Sequence, residues 1–153
     1  IGSVPELNDL DFNETIQENY DYLKTRISRK VNFTLNLPNY KVLVPHNKIL
    51  MSWVIENLVK NAVDAMKGEG AIVMSVFERN KNILVEVKDN GSGMTKQQAR
   101  NAFKPGYSTK KRGWGLGLSL ARRVIHEYHN GDIKISQTEI GKGSTFRITV
   151  RKA

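Results

Sequence analysis

The sequence predicts a two-layer α/β sandwich: a mixed, mostly antiparallel sheet covered on one face by three helices. Three observations predict it. Short runs of apolar and polar residues alternate and are joined by tight turns, while three longer segments repeat apolar residues at helical spacing. At 153 residues with no cysteine, the chain is long enough to bury one real core without disulfides or thiolate metal sites.

The first helix is expected over 12–30, where Asp11 and Glu14 resemble a capping box and Ile16, Tyr20, Leu23 and Ile27 recur along one face. Val31, Phe33, Leu35 and Leu37 then alternate up to the Pro38-Asn39 turn, and Lys41–Val44 reads as a short second strand. Pro45 and Asn47 mark the entry to a long helix that runs to about Met66, with Gly68 and Gly70 stopping it. A hairpin follows, its strands Ala71–Phe77 and Ile83–Val87 separated by Arg79–Asn82. Thr95 caps a short helix near Lys96–Ala102, and Phe103–Gly113 lacks periodicity and reads as a mobile loop. Leu116, Leu120, Val124 and Tyr128, with Ala121 and Ile125, predict a third long helix ending near Gly131. The strands around Ile133 and Ile135 and around Phe146, Ile148 and Val150 complete the sheet. One domain over 1–153 is the simplest reading, with its core at about 12–151. A start at Ile1 instead of methionine suggests a piece of something longer.

Lys plus Arg outnumber Asp plus Glu by 24 to 15, for a net charge of +9, which favours anionic partners. The densest basic cluster, Lys110, Lys111 and Arg112, lies beside glycines, a setting for phosphate more than for a nucleic-acid stripe. No apolar run approaches the ~18 residues of a membrane span, and no signal-peptide pattern is present.

The long central helix carries an anomaly. Its apolar residues lie nearly all the way round, yet Asn57, Asn61 and Asp64 interrupt them at i, i+4 and i+7, on one stripe. A buried polar side chain without partners costs roughly 1–3 kcal/mol, so such a stripe faces water, other polar groups or a polar ligand. Two glycine clusters lie downstream, Asp89-x-Gly91-x-Gly93 and Gly113-Trp-Gly115-Leu-Gly117-Leu118, and glycine lets backbone N–H groups come close to a ligand. Neither is a P-loop or a dinucleotide fingerprint. The second opens into a helix, whose N-terminus favours phosphate. Asp89 at a strand end is placed to accept a hydrogen bond from an exocyclic amine or to cap its own loop. Asn61 offers a hard oxygen of the kind Mg²⁺ uses alongside phosphates.

In this order the motifs resemble the ATP-binding catalytic domain of sensor histidine kinases, within the GHKL superfamily and its Bergerat fold. Glu56–Ala65 is similar to the N box, Asp89–Met94 to the first glycine box, Phe103–Lys110 to the F box, Gly113–Leu118 to the second glycine box and Gly141–Phe146 to the final glycine-rich turn. The resemblance implies ATP and Mg²⁺ as ligands, with Asn61 on the metal and Asn57 beside it as the catalytic pair. It implies that Asp89 reads the adenine amine, that Gly91 and Gly93 let the base approach, and that Met94 packs on it. Gly113, Gly115, Leu116, Gly117 and Leu118 would cradle the triphosphate under a lid spanning Phe103–Arg112, with Phe103 and Lys110 as further contacts and Thr145 near the adenine.

Trp114 and Gly106-Tyr107 depart from the usual lid pattern, and Asp64 stands where some relatives carry a lysine, so it is given no ligand role. A further departure bears on the chemistry. Hydrolysing members of the superfamily carry a glutamate four residues before the metal asparagine, whereas here that position is Asn57 and Glu56 lies about 100° round the helix. An amide is not a useful base at neutral pH, which points away from hydrolysis and toward phosphoryl transfer to a nucleophile from another domain. His126 and His129 read as ordinary surface histidines, and none of the three histidines has a phosphoacceptor setting. The implied partners are a histidine-bearing dimerisation domain and, downstream, a response regulator. Nucleic acid is not expected. The implied location is cytoplasmic, with any membrane attachment through other regions. A nucleotide-binding switch without turnover and a serine kinase of the anti-sigma-factor type remain the alternatives.

Overall fold

The computed structural model describes residues 4–107 and 117–153. The elements run β1 (Asn8–Asp11), α1 (Phe12–Lys24), β2 (Val31–Asn36), β3 (Leu43–His46), α2 (Lys48–Ala65), β4 (Gly70–Arg79), β5 (Asn82–Asp89), α3 (Lys96–Asn101), α4 (Gly117–Arg123), β6 (Asp132–Glu139) and β7 (Gly143–Arg151). A π-helical turn over Val124–Tyr128 continues α4. Five strands form the main sheet in the order β2-β4-β5-β7-β6. Only β2 and β4 pair in parallel; the other three pairings are antiparallel. Helices cover one face. Met51, Val54, Ile55, Leu58 and Val59 of α2 sit over Ile72, Met74, Val85, Val87, Phe146 and Ile148, with Phe12 and Ile16 of α1 and Ala121 and Ile125 of the last helix on either side. On the opposite face Arg147 and Glu86 form an ion pair at 2.6 Å between β7 and β5.

Local chemistry explains the boundaries. Asp11 caps α1 by accepting from the Asn13 amide, and Asn47 caps α2 by accepting from that of Leu50. Thr95 and Gln98 form a full capping box on α3. Lys67 and Gly68 take left-handed backbone conformations just past α2 and turn the chain into β4.

Four expectations are corrected. Helix α1 stops at Lys24, although Ile27 still packs against the core. The second strand does not join the main sheet; it is shifted to Leu43–His46 and pairs with β1, a strand whose four residues show no alternation. In the last helix Leu120 of the expected stripe is exposed, while Ala121, Val124 and Ile125 are buried as expected. His129 is buried, not superficial: its Nδ1 donates to the Val124 carbonyl at 3.0 Å, and its Nε2 accepts from the Asn47 amide at 3.1 Å. His46 is likewise buried, donating from Nδ1 to the Val44 carbonyl and accepting at Nε2 from Thr15. Burial holds both imidazoles below their ordinary pKa and therefore neutral.

Candidate functional site

Asp89 is the last residue of β5 and is only 3% exposed. Its Oδ1 accepts from the Gly91 amide at 2.8 Å and the Ser144 amide at 3.3 Å. Burial pushes the carboxyl pKa up, and these two hydrogen bonds partly offset the rise. Carboxylates are rarely buried without a cation, so a strand-end Asp held, among the described residues, by backbone donors alone is the mark of a binding residue more than of a structural one.

The loop after Asp89 joins two otherwise separate parts of the chain. Ser92 donates its amide to the carbonyl of Ala65, the last residue of α2, and so satisfies one of the carbonyls a helix end leaves open. Gly141 in turn donates to the Ser92 carbonyl at 2.8 Å, and Met94 donates to Thr138 Oγ1 at 2.9 Å. Close approach requires the glycines here. A Cβ on Gly91 would lie 2.7 Å from the Ala65 carbonyl, and one on Gly93, whose φ is +70°, would overlap the Glu139 carbonyl oxygen. The first glycine cluster, the C-terminal end of α2 and the β6–β7 turn are thus packed into one unit.

A second group sits further back on α2. Asn57 and Asn61 are half-buried on one stripe, whereas Asp64, at the same spacing, is exposed. Asn57 donates from Nδ2 to the Trp53 carbonyl, and its Oδ1 lies 2.9 Å from where a Cβ on Gly117 would stand. Gly117, the first residue of α4, therefore abuts the stripe, and Leu118 beside it packs against the core. Glu56 is turned to Lys60 at 3.3 Å, so no carboxylate of this helix takes the position held by Asn57.

Of the residues singled out in the sequence, Asn57, Asn61, Asp89, Gly91, Gly93, Met94, Gly117 and Leu118 all lie in or beside these two groups. Lys110, Gly113, Gly115 and Leu116, together with Trp114, lie outside the described residues. Phe103 packs edge-on against Phe146, with ring centroids 6.1 Å apart. Thr145 pairs with Lys88, so strand alternation turns it to the face away from Asp89, while Ser144 pairs with Asp89 and shares its face. Ser144 was missed, although counting back two residues from the core position Phe146 would have found it. Its hydroxyl lies 2.7 Å from that of Thr138.

The family model described as "Histidine kinase-, DNA gyrase B-, and HSP90-like ATPase" matches residues 46–153, which hold every part of this geometry. The chain belongs to this ATPase family. Among curated proteins it is similar to Sporulation kinase C of Bacillus subtilis, 38% identical over 97 residues that cover 63% of this chain and 22% of the relative. It is also similar to Sensor protein TdiS of Thauera aromatica, 33% identical over 154 residues that cover 96% of this chain and 28% of the relative. The chain thus spans less than a third of the length of either. Among solved structures it matches the nucleotide-free catalytic domain of histidine kinase ThkA, at TM-score 0.86 and 28% identity over 96% of both chains. ThkA in complex with the response regulator TrrA matches at TM-score 0.82 and 25% identity, over 96% of this chain and 42% of that one. The GHKL fold expected from the motif order is the fold of the molecule, and the chain is the ATP-binding domain type found in sensor histidine kinases.

Proposed function

We propose that this chain binds Mg-ATP and donates the γ-phosphoryl group to a histidine carried by a separate dimerisation domain, as one catalytic unit of a two-component kinase. Asp89 carries the reading: its carboxylate is buried and anchored through Oδ1 by backbone donors, and it would accept a hydrogen bond from the exocyclic amine of adenine. Gly91 and Gly93 keep the loop thin beside the base, and Met94 supplies an apolar contact. Asn61 presents a hard oxygen for Mg²⁺, with Asn57 beside it. Among the described residues no group of three His, Asp or Glu side chains is arranged to hold a metal, which suits a cation carried mainly by the nucleotide's phosphates. When bound, Mg²⁺ would neutralise charge on the phosphates. Gly117 and Leu118, with Lys110, Gly113, Gly115 and Leu116, would line the triphosphate, and Phe103 would anchor the base of the lid through Phe146.

Asn57 decides between hydrolysis and transfer. With an amide there and Glu56 turned to Lys60, α2 sets no carboxylate at that position to take a proton from an attacking water. In-line attack by an imidazole nitrogen forms the N–P bond as the γ-phosphorus to bridging-oxygen bond breaks, ADP leaves, and the imidazole proton goes to solvent. The acceptor comes from outside: His46 and His129 are buried, and His126 is engaged by Asp132 at 3.2 Å. A response regulator would take the phosphoryl group next. A domain drawing on ATP in this way would work in the cytoplasm. No described helix is long and apolar enough to cross a membrane.

The test mixes the chain with a histidine-kinase dimerisation domain and γ-labelled ATP. Acid-labile, base-stable label on that domain is expected. Bound ATP without such label would contradict transfer and favour a switch module, and acid-stable label would indicate a serine kinase.

A further inference from the structure

Strand β6 breaks its own ladder beside the Asp89 end of the site. Ile135 pairs with Phe146, but Gln137 then pairs with Thr145 and Thr138 with Ser144, so Ser136 is an extra residue between them. An unbroken antiparallel ladder would set Gln137 opposite Ser144 and turn Thr138 to the other face. Bulges of this kind re-aim a side chain, and the one re-aimed here is a half-buried threonine hydroxyl. Thr138 Oγ1 accepts from the Met94 amide at 2.9 Å and lies 2.7 Å from the Ser144 hydroxyl. Its single proton goes to Ser144 or to the Gly143 carbonyl, 3.4 Å away, so every function of the hydroxyl is engaged.

Met94 stands between two residues whose backbones are already committed. Gly93 holds a φ of +70° against the Glu139 carbonyl, and Thr95 is the N-cap of α3. Ser92 and Gly141 tie the same loop through backbone groups alone, whereas Thr138 ties it through a side chain that can be replaced without touching the backbone. We infer, resting on the reading of Asp89 and Met94 as the adenine end, that Thr138 is a positioning residue of the nucleotide site. Through the Met94 amide it holds the Met94 side chain in the place where the base would lie against it. A loop kept in its bound conformation before the ligand arrives spares the cost of ordering it on binding. Valine has the shape of threonine but offers no acceptor, so it would leave the Met94 amide without this partner. Serine keeps the hydroxyl.

Calorimetric titration of the whole chain with Mg-ATP tests this. Thr138→Val should bind about tenfold more weakly, the size expected when an amide loses its hydrogen-bond partner. Thr138→Ser should return to within about twofold of the parent, because it restores the acceptor. In a Met94→Ala background the same valine should cost no more than about twofold, since residues that act through one another do not add. A hydroxyl that served the fold alone would cost the same in both backgrounds. Thr138→Ala carries the comparison if valine impairs folding. Parent-like affinity in Thr138→Val, no recovery in Thr138→Ser, or equal losses in the two backgrounds would each overturn the inference. Asp89→Asn, titrated beside these variants, separates it from the reading beneath it. A parent that binds no Mg-ATP, or whose affinity survives Asp89→Asn, removes that reading and the role of Thr138 together. An affinity that depends on Asp89 but is unchanged in Thr138→Val removes the role of Thr138 alone.

Discussion

The two ends of the candidate pocket are built differently. At the Asp89 end the backbone does the positioning: Ser92 is tied to Ala65, Gly141 to Ser92, and the Gly91 and Ser144 amides to Asp89, with glycines filling gaps too narrow for a Cβ. At the asparagine end, side chains of a single helix do it, and Gly117 is the point where a second segment touches them. The difference teaches that one end is part of the fold's stability while the other can be altered with the fold intact. Substitutions should therefore separate into those that unfold and those that only unbind.

The largest effect is expected at Gly93. Alanine there must hold a positive φ and displace the Glu139 carbonyl, at a cost of about 3 kcal/mol or more. Thermal melting should fall by about 6–12 °C for a chain of this size. Gly141→Ala, also at positive φ but with open space around it, should cost only about 1 kcal/mol. Equal losses at the two positions would remove the close-approach argument.

Asp89→Asn comes next and should act in opposite directions on binding and stability. A carboxyl whose folded pKa is raised contributes stability only below its ordinary pKa and loses it as pH rises, so at neutral pH the ionised Asp89 costs stability. The neutral variant should melt no lower than the parent in calorimetry while binding ATP at least about tenfold more weakly, since a hydrogen bond to a charged group contributes about 1.5–3 kcal/mol.

Asn61→Ala should leave melting nearly unchanged and weaken Mg-ATP by roughly tenfold, while adenosine binding, read by the same calorimetry, stays as it was. Loss of adenosine binding as well would show that the two ends are not separable.

The smallest effect is on pH. His46 and His129 have pKa values lowered by burial, so their neutral forms contribute stability that is full above the ordinary histidine pKa and declines as pH falls below it. Melting should drop by a few degrees on acidification through that range. His129→Gln should flatten the drop, because His129 accepts from the amide of Asn47, the residue that caps the asparagine helix.

The sequence disclosed more of the asparagine end than of the Asp89 end. Asn57 and Asn61 announce themselves through helical spacing alone, and a helix turns spacing directly into a shared face. Strand order is not written in the same way. The parallel pairing of β2 with β4, and the departure of β3 to pair with β1, depend on contacts between residues far apart in sequence. Which of Ser144 and Thr145 shares the face of Asp89 is a one-residue register question, the kind a strand settles by pairing. Burial of His129 was hidden for another reason: the π turn sets its ring against the carbonyl of Val124, five residues back, and ordinary helical spacing does not anticipate that.

The central claim is that Asp89 reads the adenine amine, and the most direct measurement is the ATP-to-GTP affinity ratio before and after Asp89→Asn. Guanine carries an oxygen where adenine carries the amine, so the parent chain should prefer ATP by about a hundredfold and the variant should lose most of that preference. A ratio that survives the substitution would contradict the assignment and place the base elsewhere.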